Sequence, residues 1–319
     1  MENRKECYEV GALLYCPALN EGLSESIISE KLGKKYSIAI CLEDTVAEEF
    51  VPQAEQQLHA TLLKIKNAKN DFYHPKIFIR VRDPEQLDRV HDMVSDCWDV
   101  IMGYIFPKYT ISNAPIYNRK IKAINKSCNK IFYMMPILES EDIIDYSSRR
   151  QILLNIKKMI DGVQEYVLNV RVGGNDFCNT FAARRHYDET IYDIRPIADV
   201  LTDILTVFSR EYVVSGPVWE FFASDNNEWK DGLLRETELD KLNGFIGKTV
   251  IHPKQICVVN EALKVSHKDY EDAKQIMGWS SDSGLQVAKS SDGERMNELK
   301  THGNWAKKIL LLAEIYGVN

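Results

Sequence analysis

Eight short apolar runs recur along the chain, most of them separated by segments of helical periodicity, and no other feature limits the fold so tightly. The runs occupy residues 12–18, 37–44, 76–82, 100–108, 130–139, 166–176, 211–216 and 248–253. Amphipathic segments at 47–66, 84–97, 143–163, 197–210 and 234–242 fall between them. Strand-length apolar runs alternating with segments of period 3.6 specify parallel strands joined by crossover helices. Eight such units in about 250 residues suit a closed α/β (β/α)8 TIM barrel better than an open sheet. A dinucleotide-binding sheet would carry Gly-x-Gly-x-x-Gly after its first strand, and this chain does not. Beyond residue 265 the pattern changes. Segments 266–276 and 304–316 read as helices, and the polar stretch 279–293 reads as a loop. The expected organisation is a TIM barrel over 1–265 and a C-terminal helical extension over 266–319, long enough to cover its own or a neighbouring active site.

The ends of the runs are charged. Run two closes on Glu43 and Asp44, run three on Arg80 and Arg82, run four on Lys108, run five on Glu139, run six on Asp176 and run eight on His252. In a barrel these groups converge on the mouth where the fold does its chemistry. Glu139 and Asp176 are hard oxygen donors on neighbouring strands, and Mg²⁺ takes one or two protein carboxylates with water and substrate completing its octahedron. The competing reading is that both acids cap the helices that follow them. Gly173–Gly174 reads as a sharp turn from strand to loop. Arg80 presents a planar fork for a substrate carboxylate or a developing enolate, or it pairs with Glu43 or Asp44; the two roles can coexist. Lys108 is a point charge that binds substrate or pairs with Glu139, in preference to a Schiff-base lysine. His252 reads as architectural. Arg184, Arg185 and His186 form either a grip for a phosphate or second carboxylate, or a helix-end charge cluster.

Composition adds limits. The chain is 45% hydrophobic and 27% charged, as an ordinary water-soluble protein is. A net charge of −7 argues against nucleic acid or an anionic membrane as partner. Seven scattered cysteines without close spacing read as reduced thiols. The amino terminus lacks an apolar signal core and no stretch reaches membrane-spanning length, so a cytoplasmic location is expected.

Several strings resemble the citrate lyase β-subunit-like proteins of the HpcH/HpaI aldolase family. They are Leu13–Leu14–Tyr15–Cys16–Pro17, Leu42–Glu43–Asp44–Thr45–Val46–Ala47, Ile79–Arg80–Val81–Arg82, Phe106–Pro107–Lys108 and Ile137–Leu138–Glu139. The most specific is Gly244–Phe245–Ile246–Gly247–Lys248–Thr249–Val250–Ile251–His252–Pro253–Lys254–Gln255–Ile256. The strings Val172–Gly173–Gly174–Asn175–Asp176–Phe177, Ala182–Ala183–Arg184–Arg185–His186–Tyr187 and Arg295–Met296–Asn297–Glu298 are similar to a divergent carbon–carbon bond lyase branch associated with tellurite-resistance gene clusters.

The resemblance implies a Mg²⁺-dependent TIM-barrel lyase, a trimeric or hexameric homo-oligomer, acting through a metal-stabilised enolate. Glu139 and Asp176 become the metal ligands, and Arg80, Lys108 and Glu298 the catalytic set. Glu298 stands where relatives carry an acid that approaches the active site, commonly a neighbouring protomer's; His302 is a second base candidate. Glu43, Asp44, Arg80, Arg184 and Arg185 are the substrate-binding set for a small carboxylated molecule, phosphorylated or an acyl thioester. Gly11–Ala12 and Arg82 depart from the family at positions near the acyl-CoA region, which weighs against CoA. The alternative is a barrel that binds a metabolite as an accessory subunit without turnover.

Overall fold

The computed structural model describes residues 4–69, 71–279 and 286–319. It divides into two compact units, Met1–Val259 and Asn260–Asn319, with the division inside the helix Lys254–Leu263, whereas the sequence places it after residue 265.

The first unit is the expected barrel. Its strands are β1 Ala12–Pro17, β2 Ser37–Cys41, β3 Lys76–Arg80, β4 Ile101–Phe106, β5 Tyr133–Leu138, β6 Val170–Val172, β7 Val214–Ser215 and β8 Lys248–Val250. All pair in parallel in sequence order, and β1 lies between β2 and β8. A bridge from Gly216 to Lys248 joins the two remaining edges. Alternation along each strand sends every second side chain inward. Leu13, Ala39, Phe78, Ile105, Met135 and Ile137 thereby form one interior cluster, and Tyr15, Cys41, Arg80 and Glu139 follow two residues further along their strands.

The surrounding helices follow from local signals. Asp83 accepts the Gln86 amide at 2.7 Å and Pro84 opens the helix Pro84–Met93. Helix Arg195–Phe208 buries Ile197, Val200, Leu201, Ile204, Leu205 and Phe208, one face of a 3.6-residue repeat. Each such side chain contributes about 1.5–3 kcal/mol when buried.

The glycine-rich string around residue 247 closes the barrel. Gly244 ends the helix Glu228–Asn243 at φ 115°, and Gly247, at φ 78°, would set a Cβ 2.7 Å from the Gly11 carbonyl. Both positions need a residue without a side chain. Lys248 then buries its ammonium between Glu236 at 2.9 Å and Asp240 at 2.6 Å. Gln255 donates to the Trp219 and Phe221 carbonyls at 3.0 and 2.9 Å, tying two loops together. His252 stacks on Phe222, an architectural position.

Two sequence expectations need correction. Run six ends as a strand at Val172, and Gly174–Thr180 is a helix, so Gly173–Gly174 turns strand into helix, not loop. Within the stretch read as a loop, residues 280–285 lie outside the described residues. The rest of it contributes β9 Val287–Lys289, which pairs antiparallel with β10 Met296–Glu298. Gly293 at φ 75° makes the intervening turn, a reversal that polar composition hides. In this second unit the hairpin accompanies helices His267–Met277 and Leu299–Tyr316. Buried Asp272 accepts from Arg295 Nε at 2.6 Å and Asn297 Nδ2 at 3.0 Å, so two residues of the Arg295–Glu298 string serve as scaffold. No described helix is long and apolar enough to cross a membrane.

Candidate active site

Six of the expected residues meet at the C-terminal end of the barrel strands. Arg80, on the last residue of β3, is their centre. Its Nη2 lies 2.7 Å from Glu43, 3.0 Å from Asp44 and 3.4 Å from Glu139. Lys108 Nζ contacts Glu43 at 2.7 Å and Asp44 at 3.3 Å. The Lys108 backbone, held at φ 46°, turns its amide to Glu139 Oε1 at 2.8 Å. A left-handed φ at a non-glycine residue costs about 1–3 kcal/mol and collects at functional sites. Lys108 therefore supports Glu139 through its amide, and the ammonium expected on Glu139 goes to Glu43.

Glu139 and Asp176 are brought together by Gly173. A Cβ on Gly173 would lie 2.2 Å from Glu139 Cβ, 2.7 Å from Glu139 Oε2 and 2.8 Å from Asp176 Oδ2. Only glycine permits this approach, and an oxygen of each acid lies close to the same point. Helix capping does not account for the pair. Glu139 accepts the Lys108 amide, and Asp176, in the first turn of its helix, accepts only its own amide while the N-cap position has no side-chain bond.

The electrostatics suit a cation. Burial, with Asp176 and Glu43 nearby, pushes Glu139 up to about 7 against the pull of Arg80. Burial and the Asp44 charge raise Asp176 as well. Burial opposes the charge on Lys108, but its bonds to Glu43 and Asp44 prevail and push it up to about 12. That lysine is a cation at neutral pH, not an amine nucleophile. Two carboxyls that resist ionisation side by side, with hard oxygens at one pocket, are a donor set that fits Mg²⁺.

A pocket of about 180 Å³ opens beside them, lined by Tyr15, Asp44, Arg80, Glu139, Asp176 and Arg171 among others. Arg171, Tyr15 and Thr249 were not foreseen. The signal was present in the lone charge of the apolar run 167–172.

Arg185 and Arg184 require correction as substrate groups. Arg185 is 2% exposed, its Nε 3.3 Å from Glu236 and its guanidinium over the Trp219 ring. It serves the buried network around Lys248 and does not line the pocket. Arg184 is exposed and pairs with Glu220 at 3.4 Å. His186 is likewise exposed and pairs with Glu189. Glu298 belongs to the second unit, where its amide donates to His302 Nδ1 at 3.0 Å.

A family model described as "C-C_Bond_Lyase of the TIM-Barrel fold" matches residues 4–318. The chain belongs to this carbon–carbon bond lyase family. Among solved structures, the fold is similar to a citrate lyase from Burkholderia xenovorans, with TM-score 0.73, 12% identity, and 97% of this chain and 93% of that one covered. It is also similar to the CitE protein of Mycobacterium tuberculosis in complex with magnesium, acetoacetate and coenzyme A. There the TM-score is 0.64 and the identity 18%, over 97% of this chain and 99% of that one. The citrate lyase β subunit of M. tuberculosis, complexed with oxaloacetate and magnesium, aligns with TM-score 0.53 at 17% identity, over 81% and 99% of the two chains. No curated protein matches the chain.

Proposed function

We propose that this chain is a Mg²⁺-dependent carbon–carbon lyase that cleaves or forms a bond beside a carbonyl of a small carboxylated substrate. The observation that carries the reading is the convergence of Glu139 Oε2 and Asp176 Oδ2, 2.7 and 2.8 Å from one point beside Gly173, at the pocket that both acids line. These two residues would hold the ion. Magnesium, when bound, supplies a Lewis acid for the substrate carbonyl and for the negative charge that bond cleavage leaves on it. The M. tuberculosis relatives bind magnesium with acetoacetate or oxaloacetate, which supports a short oxo acid here.

Arg80 spends one nitrogen on three acids and keeps Nε without a partner, so it retains a donor for a substrate oxygen. Asp44 lines the pocket and holds both cations in place. Lys108 stays protonated, orients Glu43 and supports Glu139. Glu298 is proposed as the proton carrier on the strength of its motif alone.

Calorimetry with Mg²⁺ on the wild type, Glu139→Gln and Asp176→Asn tests the metal site. Metal-dependent heat in the wild type, lost in both variants, is expected. Turnover is then sought with 2-oxo acids, hydroxyacyl-CoAs and phosphorylated sugars, by mass spectrometry of the cleavage products with and without Mg²⁺. A wild type that gives no metal-dependent heat would sink the reading.

A further inference from the structure

Five cations are buried among the described residues: Arg80, Arg149, Arg171, Arg185 and Lys248. Four have a carboxylate within ion-pair distance: Arg80 on Glu43, Arg149 on Asp203, Arg185 on Glu236 and Lys248 on Glu236 and Asp240. Arg171 is the exception. It sits on β6, is 1% exposed and lines the pocket that holds Glu139 and Asp176. Its Nη2 donates to Thr249 Oγ1 at 2.7 Å and its Nη1 to Asn169 Oδ1 at 3.3 Å, both neutral acceptors, and the Tyr15 hydroxyl is a third neutral neighbour. Arg171 Nε has no partner, and neither has Nδ2 of Asn169, which is itself 0% exposed.

A buried donor left unpaired costs about 1–3 kcal/mol, and more when it is charged. An unpaired buried ion costs several kcal/mol, which is why interiors pair their cations. An unmet arginine donor on the wall of a pocket makes a receptor for an acceptor that arrives from outside the chain. A guanidinium is a receptor for a planar carboxylate, the anion carried by the oxo acid proposed above. The phosphate expectation attached to Arg184 and Arg185 has meanwhile lost its buried arginine to Glu236.

We infer that Arg171 forms an anion subsite in the barrel pocket that takes a carboxylate of the substrate, separate from the magnesium acids. The inference rests on the proposed lyase reading and narrows it. The substrate is an oxo acid with two carboxylates, one end belonging to Glu139 and Asp176 and the other to Arg171.

Calorimetry on the full chain compares oxaloacetate with 2-oxobutanoate, and 2-oxoglutarate with 2-oxopentanoate. Within each pair a far carboxylate is replaced by a methyl group. The wild type is expected to bind the diacid of at least one pair tenfold or more tighter. Arg171→Met should bring that ratio within twofold while Mg²⁺ affinity is kept, and Arg171→Lys, which keeps the charge without the fork, should give an intermediate ratio. Without ligand, Arg171→Met should melt no lower than the wild type, because it removes an unpaired buried charge. A wild type without preference in either pair, or an Arg171→Met protein that keeps it, overturns the subsite. If Arg171→Met does not fold, an unchanged ratio in Arg171→Lys overturns it alone. A diacid preference that persists without Mg²⁺, in a wild type giving no metal heat, upholds the subsite and removes the metal reading. Mg²⁺ binding without a preference does the reverse.

Discussion

Glu139 stands between opposing influences, of which burial is the largest. Burial and the neighbouring acids favour its proton, while Arg80 and the Lys108 amide favour the anion, and the balance rests at about 7. A metal that binds the anion must displace that proton, so Mg²⁺ affinity should fall about tenfold per pH unit below about 7 and level off above it. Calorimetry at pH 6 and pH 8 checks this, and equal affinities would contradict it. In the metal-free protein the sign for folding follows from the same raised value. The stability this group contributes is full below its ordinary value of 4.5 and is lost as pH rises through about 7. At this scale the pocket acids and Arg80 were legible because each ends an apolar run. Arg185 was not, since adjacency in Arg184–Arg185–His186 does not say which side chain turns inward.

At the scale of elements, the turn from β6 into the helix Gly174–Thr180 decides whether the two acids meet. Gly173→Ala should lose tenfold or more in Mg²⁺ affinity, because its methyl would lie 2.2 Å from Glu139 Cβ and push the two carboxylates apart. Circular dichroism checks the fold and calorimetry the affinity; unaltered binding would show that the acids do not share a ligand there. The second unit offers a contrasting glycine. Gly303 lies inside the helix Leu299–Tyr316, and nothing lies within 4 Å of where its Cβ would be. Gly303→Ala should therefore stabilise by about 0.5–1 kcal/mol, measured by denaturant titration, through helix propensity alone. Strands that are near-continuous buried apolar runs, such as β2 and β5, were readable from sequence. The hairpin of β9 and β10 was not, because its pairing depends on a turn at Gly293 and on side chains that carry little apolar signal.

For the whole molecule, barrel closure and ligand site share Thr249 and otherwise draw on different charged residues. The Gly244–Gln255 string is the most specific resemblance in the chain, and its structural work is to join β7 to β8 and to seat Lys248 between Glu236 and Asp240. Mg²⁺ binding to the folded state alone should raise stability by about 2.7 kcal/mol at a hundredfold excess over Kd. Thermal melts across a Mg²⁺ series would show it, and Glu139→Gln should abolish the rise. The order of strands, the barrel class and the end at which charges gather were determined by the sequence itself. Apolar period, helix-start residues and glycines act over a few positions, so they survive without any knowledge of the fold. The tertiary structure alone decided which charges are matched: Arg80 with three acids, Arg185 with Glu236, and Arg171 with none. Pairing and burial depend on which strands close around a shared interior, and spacing along a chain does not record that distance.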